Sequence, residues 1–182
     1  DRFNVSISDE FEMLSQPFRI APDVILQPGD YDFTSYEASY RWGTQRRFSG
    51  ALSFRGGDFW NGSNSAIGFS SGRIELSPQL SVEPSYSYNQ IKLPEGDFRT
   101  ELGRVRVTYT ISPRMYFGGL MQYNSTQSSF STNFRFRWEW APGSELFVVY
   151  SDDRDTNPFD RPDSFELRNR GWAIKINRLF QI

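Results

Sequence analysis

Apolar side chains in this chain recur at every second position, and the clearest case runs from Phe130 to Trp140. There Phe130, Thr132, Phe134, Phe136, Trp138 and Trp140 alternate with Ser131, Asn133, Arg135, Arg137 and Glu139. A repeat of two places one set of side chains on each face of a β-strand. The same reading predicts strands near 3–14, 31–42, 47–60, 65–76, 79–91, 98–111, 115–124, 129–140, 145–151 and 170–181, with no helix. The 130–140 segment has the 9–11 residues that a tilted strand needs to cross a bilayer, longer than the five or six residues usual in water-soluble sheets.

Turn-forming residues separate these segments. Gly43-Thr44-Gln45, Ser77-Pro78-Gln79, Ser112-Pro113-Arg114 and Ala141-Pro142-Gly143-Ser144 read as tight turns. The links between them, around Trp60 to Ser65, Lys92 to Asp97, Asn124 to Ser128 and Asp152 to Arg168, read as longer and more polar. About ten antiparallel strands, with short turns on one rim and longer loops on the other, is the plan of an up-and-down transmembrane β-barrel. On that plan the Asp152 to Arg168 loop faces outside the cell and Ile182 ends in the periplasm. The expected fold is therefore all-β: a barrel of about ten strands forming a single domain over 1–182, or the C-terminal part of a larger barrel.

The two faces keep their chemistry from segment to segment. Tyr36, Ala38, Tyr40 and Trp42; Phe48, Gly50, Leu52 and Phe54; Leu80, Val82, Pro84, Tyr86 and Tyr88; Val105, Val107, Tyr109 and Ile111; and Trp172, Ile174 and Ile176 are assigned outward, and none is charged. A charge on the lipid side near the bilayer centre costs about 2–4 kcal/mol, so this absence acts as a physical filter. The alternate positions include Glu37, Arg41, Arg55, Glu83, Arg104, Arg106, Arg135, Arg137, Glu139 and Lys175, a mixed-sign set expected to line the lumen. Tyr40, Trp42, Trp138, Trp140, Trp172 and Phe180 fall near strand ends and are candidates for interfacial aromatics. Phe59 with Trp60 extends the same pattern.

Three places break the alternation. The apolar parity switches between Ile67 with Phe69 and Ile74 with Leu76, which predicts a bulge near Ser70-Ser71-Gly72. Pro84 lies inside a strand and has no N–H for the ladder. Arg178 has outward parity, where a long side chain can reach head groups.

Composition narrows the chemistry. Aromatics form 17% of the chain against a hydrophobic fraction of only 37%, unlike a core built mainly from aliphatic residues. A net charge of -2 and no basic run argue against nucleic acid as a partner. With no cysteine and no histidine, disulfides, thiolate metal sites, cysteine nucleophiles and the usual general base are excluded. No hydrophobic run approaches a membrane helix, and no signal peptide opens the chain, as for a mature exported protein. No cofactor, metal or catalytic residue is assigned.

Asp153-Arg154-Asp155-Thr156-Asn157 resembles the opening of a calcium loop, but Pro158 stands in place of the glycine and Ser164 in place of the bidentate glutamate, so an acidic solvated loop is preferred. Arg104, Arg106, Arg135 and Arg137 read either as the lining of an anion-favouring passage or as part of a salt-bridge network with Glu37, Glu83 and Glu139. The network is the expectation, because small barrels are filled by their own side chains. Gly56-Gly57 and Gly118-Gly119 read as bends, and Glu95 with Asp97 as a solvated loop-tip pair.

Three stretches carry a resemblance: FEMLSQPFRIAPDVILQPGDYDFT from Phe11, GDFWNG from Gly57, and RFRWEWAPGSELFVVY from Arg135 to Tyr150. Together they resemble the C-terminal region of a large uncharacterised bacterial family, in which a carbohydrate-binding-module-like domain of the family nine type precedes an outer-membrane-barrel-like region. The resemblance implies an integral outer-membrane location, lipid and lipopolysaccharide as surroundings, and a parent chain longer than this one. Further subunits or segments would then complete the wall. The carbohydrate-binding-like domain has no counterpart here. Residues 172–182 resemble the C-terminal strand read by the barrel-assembly machinery, although Phe180 stands third from the end.

The function expected from these readings is a porin-like membrane anchor, scaffold or pore element without catalysis. The alternative is a soluble β-sandwich that binds carbohydrate. A barrel-embedded hydrolase is set aside for want of histidine.

Overall fold

Alternation at a period of two is realised as strand over most of the chain. The structure is a computed structural model that describes residues 1–157 and 165–180. Its strands are β1 (Arg2–Leu14), β2 (Phe18–Ala21), β3 (Val24–Leu26), β4 (Gly29–Arg41), β5 (Phe48–Phe59), β6 (Gly62–Ser77), β7 (Leu80–Leu93), β8 (Gly96–Ser112), β9 (Met115–Asn124), β10 (Ser129–Ala141), β11 (Ser144–Asp155) and β12 (Glu166–Asn177). Ten of them form one antiparallel up-and-down sheet in the order β1-β4-β5-β6-β7-β8-β9-β10-β11-β12, and β2 with β3 forms a separate hairpin. The order has two ends, so the sheet does not close.

Several boundaries differ from expectation. β11 continues to Asp155 and β12 begins at Glu166, so the ends of the supposed 152–168 loop are strand. β12 stops at Asn177, leaving Phe180 beyond its end, and residues 181–182 of the expected terminal strand lie outside the described residues. The anticipated alternation of link lengths holds only in part. Trp60–Asn61 and Pro94–Glu95 are two-residue turns, whereas the link expected to be tight at Gly43 spans Trp42–Arg47. The tight turn at Trp60 is made by a left-handed backbone, φ 52°, and that at Pro94–Glu95 is followed by Gly96 at φ 149°. The two Ser-Pro turns form as expected, with the Ser77 hydroxyl accepting from the Gln79 and Leu80 N–H groups and the Ser112 hydroxyl from Arg114 N–H. At the predicted parity switch Ser71 is left-handed, φ 52°.

The chain divides into two compact units, Asp1–Ser70 with Tyr86–Glu101, and Ser71–Ser85 with Leu102–Ile182. In the first, register places Phe3, Val5 and Ile7 opposite Tyr40, Ala38 and Tyr36, with Leu52 and Phe54 next in line on β5. Ser6, Glu37 and Arg55 line up on the other face. That charged face also bears Tyr31 and Phe33, whose rings meet Trp60 at 5.2 and 5.9 Å between centroids. The β2–β3 hairpin sits beside them. Its Val24 and Leu26 form a buried cluster with Leu93, against which Leu14, Ile20, Ala21, Phe59, Trp60, Ile91 and Phe98 pack. Apart from Ala51, the buried hydrophobic residues of this unit thus gather at one end of the polar face.

In the second unit Val107, Gly119, Phe134, Tyr150 and Trp172 fall in one row across five strands, and Tyr109, Phe117, Phe136, Val148 and Ile174 in the next. Phe117 stacks on Phe134 at 5.6 Å, Phe134 on Tyr150 at 6.2 Å, and Tyr150 meets Trp172 at 4.6 Å. Gly119 makes room for this ladder, because a Cβ there would lie 3.0 Å from two carbons of the Phe134 ring. Aromatic rings covering a cross-strand glycine recur in β-sheets. Gly119→Val is therefore expected to destabilise the fold by about 1–3 kcal/mol through overpacking, read as a lower chemical-unfolding midpoint.

Candidate functional site

The charged positions were expected to form a network, and the structure pairs only some of them. Arg55 binds Glu37 at 2.7 Å on the adjacent strand, Arg73 approaches Glu83 at 3.5 Å, and Arg137 binds Glu145 at 2.8 Å with Glu139 at 4.0 Å. Glu145 and Arg73 were not singled out in the sequence. Glu145 has the right parity and directly faces Glu139, which brings it within reach of Arg137. Each pair is local to one strand or to two neighbouring strands and leaves both side chains partly exposed, so each contributes little to stability.

Arg41, Arg104, Arg106, Arg135 and Lys175 form no ion pair among the described residues, so the network expected for the interior arginines does not extend to Arg104, Arg106 and Arg135. Arg41 instead stands opposite Arg2 in the β1–β4 register. On the charged face of the second unit, Arg106 and Arg135 border a recess of about 260 Å³ with Thr108, Tyr116, Gly118 and Asn133. Register explains why they meet: Arg106 and Asn133 flank Leu120, and Thr108 and Arg135 flank Gly118. Leu120 also lines the recess, and Gly118 leaves the space beside it open, since a Cβ there would touch nothing within 4 Å.

Arg135 is held in place. Its Nε donates to Asn133 Oδ1 at 3.0 Å, and Asn133 Nδ2 donates to the Ser151 hydroxyl at 2.8 Å. The guanidinium is oriented without being neutralised, and its terminal nitrogens keep their donors. The arrangement is suited to receiving an anion and offers no nucleophile–base pair.

Charge interrupts the apolar faces. On the second unit Asp152, opposite Thr132 and Arg170, takes Arg154 Nε at 2.6 Å, Arg170 Nη2 at 3.0 Å and the Tyr150 hydroxyl at 3.0 Å. This cluster, absent from the sequence reading, closes the row above Tyr150 and Trp172. Its signal was an i, i+2 spacing, Tyr150-x-Asp152-x-Arg154, that reads as ordinary loop polarity until β11 is known to continue through it. On the first unit the corresponding break is Asp9 accepting from Thr34 at 2.6 Å, after Ile7 and Tyr36. In the second unit the charge lies near the strand ends at Asp155 and Glu166, whereas in the first Asp9 lies inside β1 and Phe11 and Met13 follow it on the same face.

The candidate interfacial aromatics occupy several settings. Tyr40 packs edge-on against Trp42, and Trp138 against Trp140. Trp172 lies in the ladder and Phe180 lies past β12 beneath the Arg178 guanidinium, 4.9 Å from its centroid. The suspected calcium opening is strand through Asp155, whose carboxylate is taken by Arg168 at 2.7 Å; Pro158 and Ser164 lie outside the described residues. No protein-family profile, curated protein or solved structure matches the chain.

Proposed function

We propose that this chain is a wall of an integral outer-membrane β-barrel, acting as a membrane anchor, scaffold or pore element. One observation carries the reading. Among the described residues, every buried hydrophobic side chain (Val24, Leu26, Phe33, Ala51 and Leu93) belongs to the first unit, while the second holds none and exposes Tyr109, Ile111, Trp138, Trp140, Trp172, Ile174 and Ile176. A folded unit needs apolar burial to offset its conformational entropy, and lipid supplies that burial from outside.

Dimensions support the same conclusion. Phe130 to Trp140 extends roughly 33 Å along the strand, or about 25 Å once tilted near 40°, the height of an outer-membrane apolar band. The even number of strands in the main sheet makes β1 and β12 antiparallel, so the two ends can be joined directly or through added antiparallel strands. The resemblance to an outer-membrane-barrel-like family region points to added strands from a longer parent. In a barrel the β2–β3 hairpin, on the charged face, occupies the lumen and narrows one end. A β-sandwich would instead need a second sheet over the apolar face, and the hairpin lies on the other one.

The test is folding into maltoside micelles and then into bilayers. Faster gel migration before boiling than after, together with quenching of tryptophan fluorescence by lipids brominated along the acyl chain, is expected. A stable monomer in detergent-free buffer with no such quenching would overturn the proposal, and single-channel recording then separates a pore from a plugged anchor.

A further inference from the structure

We propose that the recess between Arg106 and Arg135 is a binding site for a water-borne phosphoryl group. This inference rests on the charged face of the second unit; only the choice of a dissolved phosphate over a lipid head group rests on the membrane reading. Two arginines border one recess, neither has a carboxylate partner among the described residues, and Thr108 and Tyr116 line the recess with them. The neighbouring arginine Arg137, one step along β10, is by contrast satisfied by Glu145 at 2.8 Å. Charge pairing is thus available on this face and is withheld at the recess.

Three features shape the site for a tetrahedral oxyanion. The Ser151–Asn133–Arg135 chain fixes the guanidinium through Nε and leaves its two terminal nitrogens as a fork, the geometry that binds phosphate in a bidentate manner. Gly118 leaves the part of the floor beside Leu120 without a side chain, and the residues flanking the two on β8 and β10, Arg106, Thr108, Asn133 and Arg135, carry donors. Two positive charges match a phosphate dianion better than a single carboxylate, and Asn133 is a positioning residue. The recess opens on the charged face, whereas a lipid monolayer would touch the apolar one, so the phosphate is one dissolved in water.

Titration of the folded full chain with inorganic phosphate, in maltoside micelles or in plain buffer, tests this. Saturable binding is expected, with a shift of the Arg135 Nε–Hε signal in nitrogen-15 NMR. R106Q and R135Q each weaken binding about tenfold or more, as loss of a charge-assisted hydrogen bond does. N133A weakens it less and moves the free-state Arg135 signal. R104Q removes the same charge outside the recess and changes affinity less than about twofold, which separates a site from general attraction. R135K restores little of what R135Q loses because an ammonium lacks the fork. The inference is overturned if binding does not saturate, if R104Q costs as much as R106Q, or if dihexanoyl phosphatidate binds far more tightly than inorganic phosphate, which would assign the recess to a lipid head group.

Discussion

Ile174→Arg is expected to lower the unfolding free energy of the lipid-folded protein by about 2–4 kcal/mol, the cost of an arginine on the lipid face near the bilayer midplane. Ile174 stands opposite Val148, between Trp172 and Ile176 on the same face of β12, and is 67% exposed. In water a side chain with that much freedom accepts arginine within about 0.5 kcal/mol, because it forms no core. The two environments therefore predict different sizes of effect at one position. The measurement is a reversible denaturant titration in short-chain lipid bilayers, with Lys175→Ala as the control for the opposite face. An effect of Ile174→Arg no larger than that of the control would remove the apolar face from the bilayer.

Leu26→Ala is expected to cost about 2–5 kcal/mol, the range for truncating a fully buried leucine. Leu26 is 0% exposed, and the cluster it forms with Val24 and Leu93 ties the β2–β3 hairpin to the sheet. Ile25, on the same short strand but with its side chain on the other side, is 42% exposed, so Ile25→Ala should change stability by less than about 1 kcal/mol. Loss of the hairpin also alters the surroundings of Trp60, whose ring meets Phe18, Tyr31, Phe33 and Phe59. A tryptophan emission shift that accompanies the lower midpoint in Leu26→Ala, but not in Ile25→Ala, is the expected signature. Equal costs for the two would show that the hairpin core is not what holds this end together.

The ten long strands were legible because most carry their own alternation over ten or more residues and most are bounded by proline, glycine or serine, while β11 showed only as the short apolar run Leu146 to Tyr150. The parity switch at Ser70-Ser71-Gly72 was legible for the same reason. The β2–β3 hairpin was not, since its strands of four and three residues are too short for a repeat to show and are crowded by Pro17, Pro22 and Pro28. β11 and β12 ran further towards each other than expected. Asp152, Asp153, Arg154 and Asp155 look like loop polarity, yet register with Arg170, Asn169, Leu167 and Glu166 keeps them paired.

The candidate site divides in the same way. That Arg106 and Arg135 share a face followed from parity alone, but that they share a recess did not. Their meeting requires the β8-β9-β10 register to set Gly118 between Thr108 and Arg135 and Leu120 between Arg106 and Asn133, and Arg137 to be taken by Glu145 while Arg135 is left to Asn133.

Sequence by itself determined what each strand shows to either side, because a period of two converts composition directly into faces. It determined most of the turns, because proline and serine act within a few residues. Only the tertiary structure decided which charges pair, which stay open, and where the small buried core lies. Those depend on residues brought side by side from strands that are distant in sequence, and a shift of one residue in register would reassign every one of them.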